Sequence, residues 1–323
     1  MVYVVMSTYN GEQYIGEQLD SILSQTYSDI KLLIRDDGST DSTIDVLEQY
    51  KKVYPNIDYY VGDNIGVVRS FYDVLGRIPK DVDYIACCDQ DDVWFPDKIE
   101  TAVNVLESMG NNAPNKKLQS PQNIQSSGVV NDIKTAEIPM LYCGLPQLVD
   151  NDLKPLNDTL EVLSPRISFG NAMIENICVG CTMVFNRALY ELVRDKWPRQ
   201  SLMHDWWIYQ VAVCFGRVFY DDTPHIYYRQ HVDNQVGKVS DRISLIKKQV
   251  RSLKRFRGKY TAQMKEFIET FTLEGENRYL AEIMTGTRDS IACRWRVLFD
   301  KRIYRQGKWD TLFFKGMLFL GIL

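Results

Sequence analysis

The sequence predicts an α/β fold: a mainly parallel central sheet flanked by helices, with a Rossmann-like nucleotide half and a helical C-terminal extension. Three observations carry this. In the first hundred residues four short apolar runs alternate with segments of helical period, the pattern of a parallel sheet buried on both faces. Each run ends in a polar loop (STYNGE, RDDGSTDST, GDNIG, DQDD), where a crevice at the carboxyl ends of the strands would meet a ligand. Beyond residue 240, Leu, Phe and Trp recur among Lys and Arg in an amphipathic helical pattern.

The elements follow in order. VYVVM (2–6) precedes a stretch that sets Ile15, Leu19, Ile22 and Leu23 on one helical face. IKLLI (30–34) precedes Ile44, Leu47 and Tyr50; IDYYV (57–61) precedes Val68, Phe71 and Leu75; YIACC (84–88) precedes Ile99, Val103 and Leu106. Each pair reads as a strand and its crossover helix. Residues 110–139 turn polar and irregular, an insertion or lid rather than a domain boundary. Order resumes at LYCGLPQLVD. GCTMVFNRALYELV then reads as a strand leading into a helix, HDWWIYQVAVCF as a helix that begins at its functional end, and RVFYDDTPHIYYRQH as strand material. Residues 1–239 are thus expected to form the α/β domain and 240–323 a basic amphipathic helical region.

At 323 residues, 45% hydrophobic and 12% aromatic, the chain has core enough for one large domain or two modest ones, which excludes a disordered polypeptide. No run is long enough to span a bilayer, and Met1-Val2-Tyr3 enters a strand with no basic leader, so the expected location is cytoplasmic. Seven scattered cysteines suit reduced thiols. The charge is uneven: residues 238–323 carry 19 Lys/Arg against 9 Asp/Glu, which leaves −14 on the preceding residues out of a total of −4. An acidic body argues against nucleic acid, while a basic tail favours an anionic partner such as a phospholipid surface.

Several loops carry chemistry. In STYNGEQY, Tyr9 offers a ring to a nucleobase, with Thr8 and Asn10 as hydrogen-bonding neighbours; the plain alternative is a helix cap at Asn10 or Gly11. In RDDGSTDST, Asp37 can accept the imide N–H of uracil or thymine, while the Asp-Gly turn and the Ser/Thr run describe an ordinary capped helix. Asn64 and Arg69 follow in NIGVVRSF, where Arg69 would face base or phosphate. In DQDD, Asp89 and Asp91 are two apart, so an extended loop turns both to one side as hard oxygen ligands for Mg²⁺ or Mn²⁺ with a diphosphate; Gln90 lies between them on the nucleotide side. In HDWW, apolar neighbours would raise the pKa of Asp205 and suit it to act as a general base, with Trp206 or Trp207 lining an acceptor cleft; the alternative is a capping aspartate and two core tryptophans. YRQH ends at His231, a candidate third metal ligand, and Arg229 could meet phosphate. CVGC reads as two buried thiols, with Gly180 permitting close approach of a ligand.

Taken together and in order, STYNGEQY, LLIRDDGSTDST, NIGVVRSF, YIACCDQDDVWFPDK, GCTMVFNRAL, HDWW and YRQH resemble bacterial glycosyltransferases of family 2, with the GT-A fold, and in particular their rhamnosyltransferase-like branch, over residues 2–235. The resemblance implies inverting transfer from a nucleotide-diphosphate sugar (dTDP or UDP), with rhamnose from dTDP-rhamnose as the expected donor group. It casts Thr8, Tyr9 and Asp37 as base-site residues, Asp89 as a ribose or metal contact, Asp91 as the main metal ligand, Asp205 as the catalytic base and His231 as a metal-side histidine. The implied acceptor is a glycan or lipid-linked glycan of a cell-surface polysaccharide. The STYN loop lacks a proline often found at its first position, and the 110–139 insertion is long.

A rival reading is a catalytically silent nucleotide- or glycan-binding component of an assembly complex. The joint presence of DQDD, HDWW and YRQH opposes it, since a binding module needs no base. For the tail, QVRSLKRFRGKY and LFFKGMLFLGIL allow a peripheral place on the inner face of the cell membrane, packing on the body, or a contact between two copies of the chain.

Overall fold

The computed structural model describes residues 1–111, 137–156, 164–230 and 258–323. Strands β1 (Val2–Thr8), β2 (Ile30–Asp36), β3 (Ile57–Val61) and β4 (Tyr84–Cys88) fall on the four predicted runs, with helices α1 (Ile15–Leu23), α2 (Thr43–Val53), α3 (Val67–Gly76) and α4 (Lys98–Asn111) between and after them. The order β3-β2-β1-β4 is parallel throughout, with Val4 beside both Leu32 and Ala86. The 110–139 insertion falls almost wholly outside the described residues.

The second half of the sheet departs from a plain parallel array. β6 (Met140–Gly144), β8 (Val184–Asn186) and β9 (Arg217–Asp221) complete seven strands in the order β3-β2-β1-β4-β8-β6-β9, with β8 antiparallel to both neighbours. The stretch 217–231 is not one strand region. Its first part is β9, and its second, β10 (Ile226–Arg229), lies in a separate small sheet between β5 (Val93–Trp94) and β7 (Gln147–Val149). That small sheet brings the end of β10 against the DQDD loop.

Side chains alternate across the main sheet, as the two-residue repeat of a strand requires. Val2, Val4 and Met6 of β1, with Ala86 and Cys88 of β4, pack on Ile15, Leu19, Leu47, Ile99 and Leu106 from α1, α2 and α4. Val5, Ile85 and Cys87 face the other way, onto Phe71 and Leu75 of α3 and onto α6 (Arg187–Val193) and α7 (His204–Phe215). The same second core takes in the C-terminal helices α8 (Lys259–Thr270), α9 (Gly275–Thr285), α10 (Ile291–Phe299) and α11 (Lys308–Phe319), through Met264, Phe267, Leu280, Met284, Val297, Phe314 and Leu318. The described part of the C-terminal region therefore packs on the body. Among the described residues no helix is long and apolar enough to cross a membrane.

Candidate active site

The loops after β1 and β2 are stitched together. The Asn10 side chain accepts the Thr40 N–H at 2.8 Å while its own N–H donates to Ser39 Oγ at 2.9 Å. Glu12 N–H donates to Asp41 at 3.1 Å and Ser42 N–H returns a bond to Glu12 at 2.8 Å. Asn10 is no helix cap, since α1 starts at Ile15 with Tyr14 in the capping place; it takes a left-handed conformation (φ 49°) in the loop instead. Thr8 is buried, its hydroxyl donating to Gln90 Oε1 at 2.6 Å, while the amide of Gln90 also exchanges bonds with the N–H and carbonyl of Tyr9. Thr8 and Gln90 thus lock the β1 loop to the DQDD loop, and the ring of Tyr9 stands 45% exposed above them.

The two aspartates of RDDGST divide the work. Asp36 is fully buried and accepts the N–H groups of Gly38 (3.1 Å) and Ser39 (2.8 Å), closing the turn in which Gly38 has φ +82°. Asp37 pairs with Arg35 and accepts the N–H groups of Ile65 (3.0 Å) and Gly66 (2.9 Å). Asp37 therefore holds the β3–α3 loop in place, with one lone-pair direction of its carboxylate still unused. Arg69, in the first turn of α3, is exposed.

Around DQDD, negative charge is concentrated and only partly balanced. Burial, then Asp91, then Asp205 raise the Asp89 carboxyl to about 7. Burial, with Asp91 and Asp89, also pushes Asp92 well above the carboxylate range. Asp89, Asp92 and Cys181 bring their ligand atoms within 4.8 Å of one another. Cys181 is a poor partner for a hard cation, because burial with Asp92 and Asp89 keeps its thiol protonated. Asp91 stands outside that group, and the half-buried carboxylates of Asp89 and Asp91 repel each other, a repulsion that a hard divalent ion such as Mg²⁺ or Mn²⁺ could relieve. His231 lies outside the described residues.

Two cations are built into this cluster. Lys98 is buried with its ammonium 3.7 Å from the centre of the Trp94 ring, has no hydrogen-bond acceptor among the described residues, and burial lowers its pKa to about 8. Arg229 corrects the sequence reading. It is 2% exposed, so it does not meet a phosphate; its guanidinium binds Glu17 and the carbonyls of Asp91 (2.9 Å) and Asn151, and its N–H donates to Asp92 at 3.2 Å. It is a clamp on the DQDD loop.

Asp205 sits in the first turn of α7, facing this cluster electrostatically. Its Oδ2 accepts the Gly180 N–H at 3.0 Å and its Oδ1 the Trp206 N–H at 2.6 Å. Burial raises it to about 6 against these bonds. Gly180 does permit a close approach, but of the protein to itself: a Cβ there would lie 3.1 Å from His204 Nε2 and 3.4 Å from Asp205 Oδ2. His204 stacks on Phe71 at 3.8 Å and is held neutral, since burial lowers its pKa to about 3. Neither tryptophan lines an open cleft. Trp207 is core against Phe267 and Phe271, and buried Trp206 donates its indole N–H to the Ala172 carbonyl at 2.6 Å.

Residues 3–115 match the family model for glycosyl transferase family 2. Over 247 residues the chain is 35% identical to the dTDP-rhamnosyl transferase RfbG of Shigella flexneri, a match covering 72% of this chain and 73% of that one. The chain belongs to glycosyl transferase family 2. A shorter match, 36% identical over 107 residues, links this glycosyltransferase to the putative teichuronic acid biosynthesis glycosyltransferase TuaG of Bacillus subtilis, covering 33% of this chain and 42% of that one. Its fold is that of the GT-A enzymes. S. aureus TarS 1-349 with UDP-GlcNAc superposes with a TM-score of 0.57 at 13% identity, over 100% of this chain and 81% of that one. The mannosyltransferase PcManGT of Pyrobaculum calidifontis, solved with GDP-Man and Mn²⁺, gives 0.51 at 14% identity, over 99% and 85%.

In this glycosyltransferase the residues that sequence reasoning passed over are Arg35, Asp92 and Lys98, all buried, while Cys178 and Cys181 are the buried thiols that CVGC predicts. Lys98 did leave a signal: a lysine at the start of a helix whose next residues, Ile99, Ala102 and Val103, form its buried face.

Proposed function

We propose that this glycosyltransferase moves rhamnose from dTDP-rhamnose onto a hydroxyl of a glycan or lipid-linked glycan, by a single displacement that inverts the anomeric carbon. The observation that carries this reading is Asp205: a buried carboxylate raised to about 6, anchored by two backbone N–H groups and close enough to Asp89 to raise its pKa. A group so tuned is ionised at neutral pH yet basic enough to accept a proton from a sugar hydroxyl. The proton passes from the acceptor hydroxyl to Asp205. The acceptor oxygen bonds to the anomeric carbon from the face opposite the nucleotide, and the bond to the diphosphate oxygen breaks with its electron pair leaving on the diphosphate.

Asp89 and Asp91 would hold Mg²⁺ or Mn²⁺, which when bound supplies positive charge to the departing diphosphate. The exposed ring of Tyr9 suits the base, and 35% identity with a dTDP-rhamnosyl transferase over 72% of the chain supports thymidine and rhamnose. The acceptor is proposed to wait at the cytoplasmic face of a membrane, met through the C-terminal helices. The test is Asp205→Asn, assayed with dTDP-rhamnose against UDP-glucose and UDP-GlcNAc. Turnover should fall by about 10²- to 10⁴-fold, while dTDP binding with Mn²⁺ stays the same. A fully active Asn variant would remove the base.

A further inference from the structure

A cavity of about 870 Å³ opens between the first turn of α3 and the loop that joins α6 to α7, its lining including Arg69, Tyr72, Trp197, Arg199, Ser201 and Lys259. Among the described residues that line it three are cations and none is a carboxylate, although the first 237 residues of the chain carry −14. Such a local reversal of sign concentrates an anion there against the field of the whole body. One wall is aromatic: the rings of Tyr72 and Trp197 stack at 4.4 Å. The loop that supplies Trp197, Arg199 and Ser201 runs directly into α7, four residues before Asp205, and Asp205 is among the charges that act on the Tyr72 hydroxyl. The cavity therefore neighbours the proposed base.

We propose that this cavity is an acceptor subsite for a phosphorylated saccharide, with Arg199, Lys259 and Arg69 meeting the phosphate and the Tyr72–Trp197 wall flanking the sugar. Cations around an apolar wall match that ligand: the phosphate takes charge-assisted hydrogen bonds, and the C–H face of a sugar ring packs on aromatic rings. A neutral glycan would make no use of the three cations, and the carboxylate of Glu266, which reaches this loop, is engaged by the Arg199 backbone N–H at 2.6 Å. The phosphate could belong to a sugar diphosphate on a lipid carrier or to a free sugar phosphate. This inference rests on the glycosyltransferase reading for the direction of the chemistry, but its binding test does not need turnover.

The full chain is titrated calorimetrically, in EDTA to silence the metal site, with three probes: N-acetylglucosamine 1-phosphate, N-acetylglucosamine diphosphate on a ten-carbon alkyl chain, and the neutral methyl glycoside. Both phosphorylated probes, or the alkyl diphosphate alone, should bind at least about tenfold more tightly than the neutral glycoside, the factor expected for one charge-assisted contact. If the alkyl diphosphate is the tighter of the two, the source is a lipid carrier; if the 1-phosphate matches it, the free sugar phosphate suffices. The double variant Arg199→Gln, Lys259→Gln should lose that preference while binding dTDP with Mn²⁺ as the parent does. Equal affinity for charged and neutral probes, or an unchanged preference in the variant, overturns the proposal. So does loss of dTDP–Mn²⁺ binding in the variant, which would assign the cavity to the donor. Failure of the parent protein to bind dTDP–Mn²⁺ would instead strike the donor reading and leave the sugar-phosphate result standing.

Discussion

Burial is the dominant influence on the carboxyls of this site, and it acts against the hydrogen bonds meant to keep them charged. Asp205 is raised to about 6 and Asp89 to about 7 from an ordinary 3.8. Both pKa values are higher in the folded than in the unfolded chain, so between about pH 4 and pH 7 the folded protein binds more protons. Their stabilisation is full below pH 4 and is lost as pH rises through 6 and 7. A divalent ion needs Asp89 ionised, so the same shift predicts that Mn²⁺ affinity falls with each pH unit below 7, by about tenfold per proton displaced. Thermal shift with Mn²⁺ at pH 7.5 and pH 5.5 checks both signs. The apo protein should melt higher at pH 5.5 as far as these groups are concerned, and Mn²⁺ should raise the melting point at pH 7.5 far more than at pH 5.5. Equal Mn²⁺ affinity at the two pH values would remove Asp89 from the metal site.

At the scale of elements, a four-residue helix, α5 (Phe169–Ala172), ties α7, the helix that carries Asp205, to the C-terminal region. The Ala172 carbonyl accepts from Trp206 and Gln210 of α7, and Asn171 donates to the Tyr304 carbonyl at 3.0 Å. Gly170 sits where a Cβ would lie 2.1 Å from the Arg302 carbonyl oxygen, so the two backbones meet there with no room for a side chain. Gly170→Ala should destabilise the protein by about 1–3 kcal/mol, the range for overpacking a close contact. Gly316→Ala, in α11 with nothing within 4 Å of its Cβ, should be neutral or stabilise by up to about 1 kcal/mol. Chemical denaturation of the two variants reads the difference; equal stability would mean that the C-terminal helices do not bear on α5.

These contacts also mark what could be read from the sequence. β1 to β4 and their helices were legible because each strand is its own short apolar run and each helix carries its own helical repeat of apolar residues. The antiparallel entry of β8 and the separation of β10 from β9 were not, since strands of three to five residues take their partners from the rest of the sheet. In the candidate site, the raised pKa of Asp205 was legible from its apolar neighbours, and the structure gives burial as its cause. The clamp by Arg229 was not, because Glu17, Asp91 and Asn151 are far from it in sequence, and an arginine beside a histidine reads the same whether it faces a phosphate or the interior.

Over the whole molecule, the packing of α8 to α11 into the second core decides how membrane contact must be tested. Cutting the chain before these helices would expose the body residues they cover, Phe169, Trp207 and Phe215 under Phe267 and Trp206 under Tyr260, so a truncated protein would bind vesicles, or aggregate, for reasons unrelated to docking. The outer face of the same helices supplies better probes. Trp309 is 83% exposed, Phe299 70% and Leu320 67%, and Trp295 stacks on Phe299 at 5.5 Å and meets Phe319 edge-on at 4.7 Å. Exposed aromatic residues on a segment that carries 11 Lys/Arg against 8 Asp/Glu over residues 258–323 suit the headgroup layer of an anionic bilayer, where rings enter the interface and Lys and Arg meet phosphate. The full chain should co-sediment with vesicles containing phosphatidylglycerol more than with phosphatidylcholine alone, and less in high salt, because screening weakens the charge contribution. Trp309→Ser with Phe299→Ser removes exposed apolar area without opening the core. It should weaken binding by about tenfold or more, on the scale of two aromatic side chains withdrawn from water, while leaving dTDP binding unchanged. Vesicle binding that ignores both lipid charge and this double substitution would leave the basic, aromatic face to a protein partner.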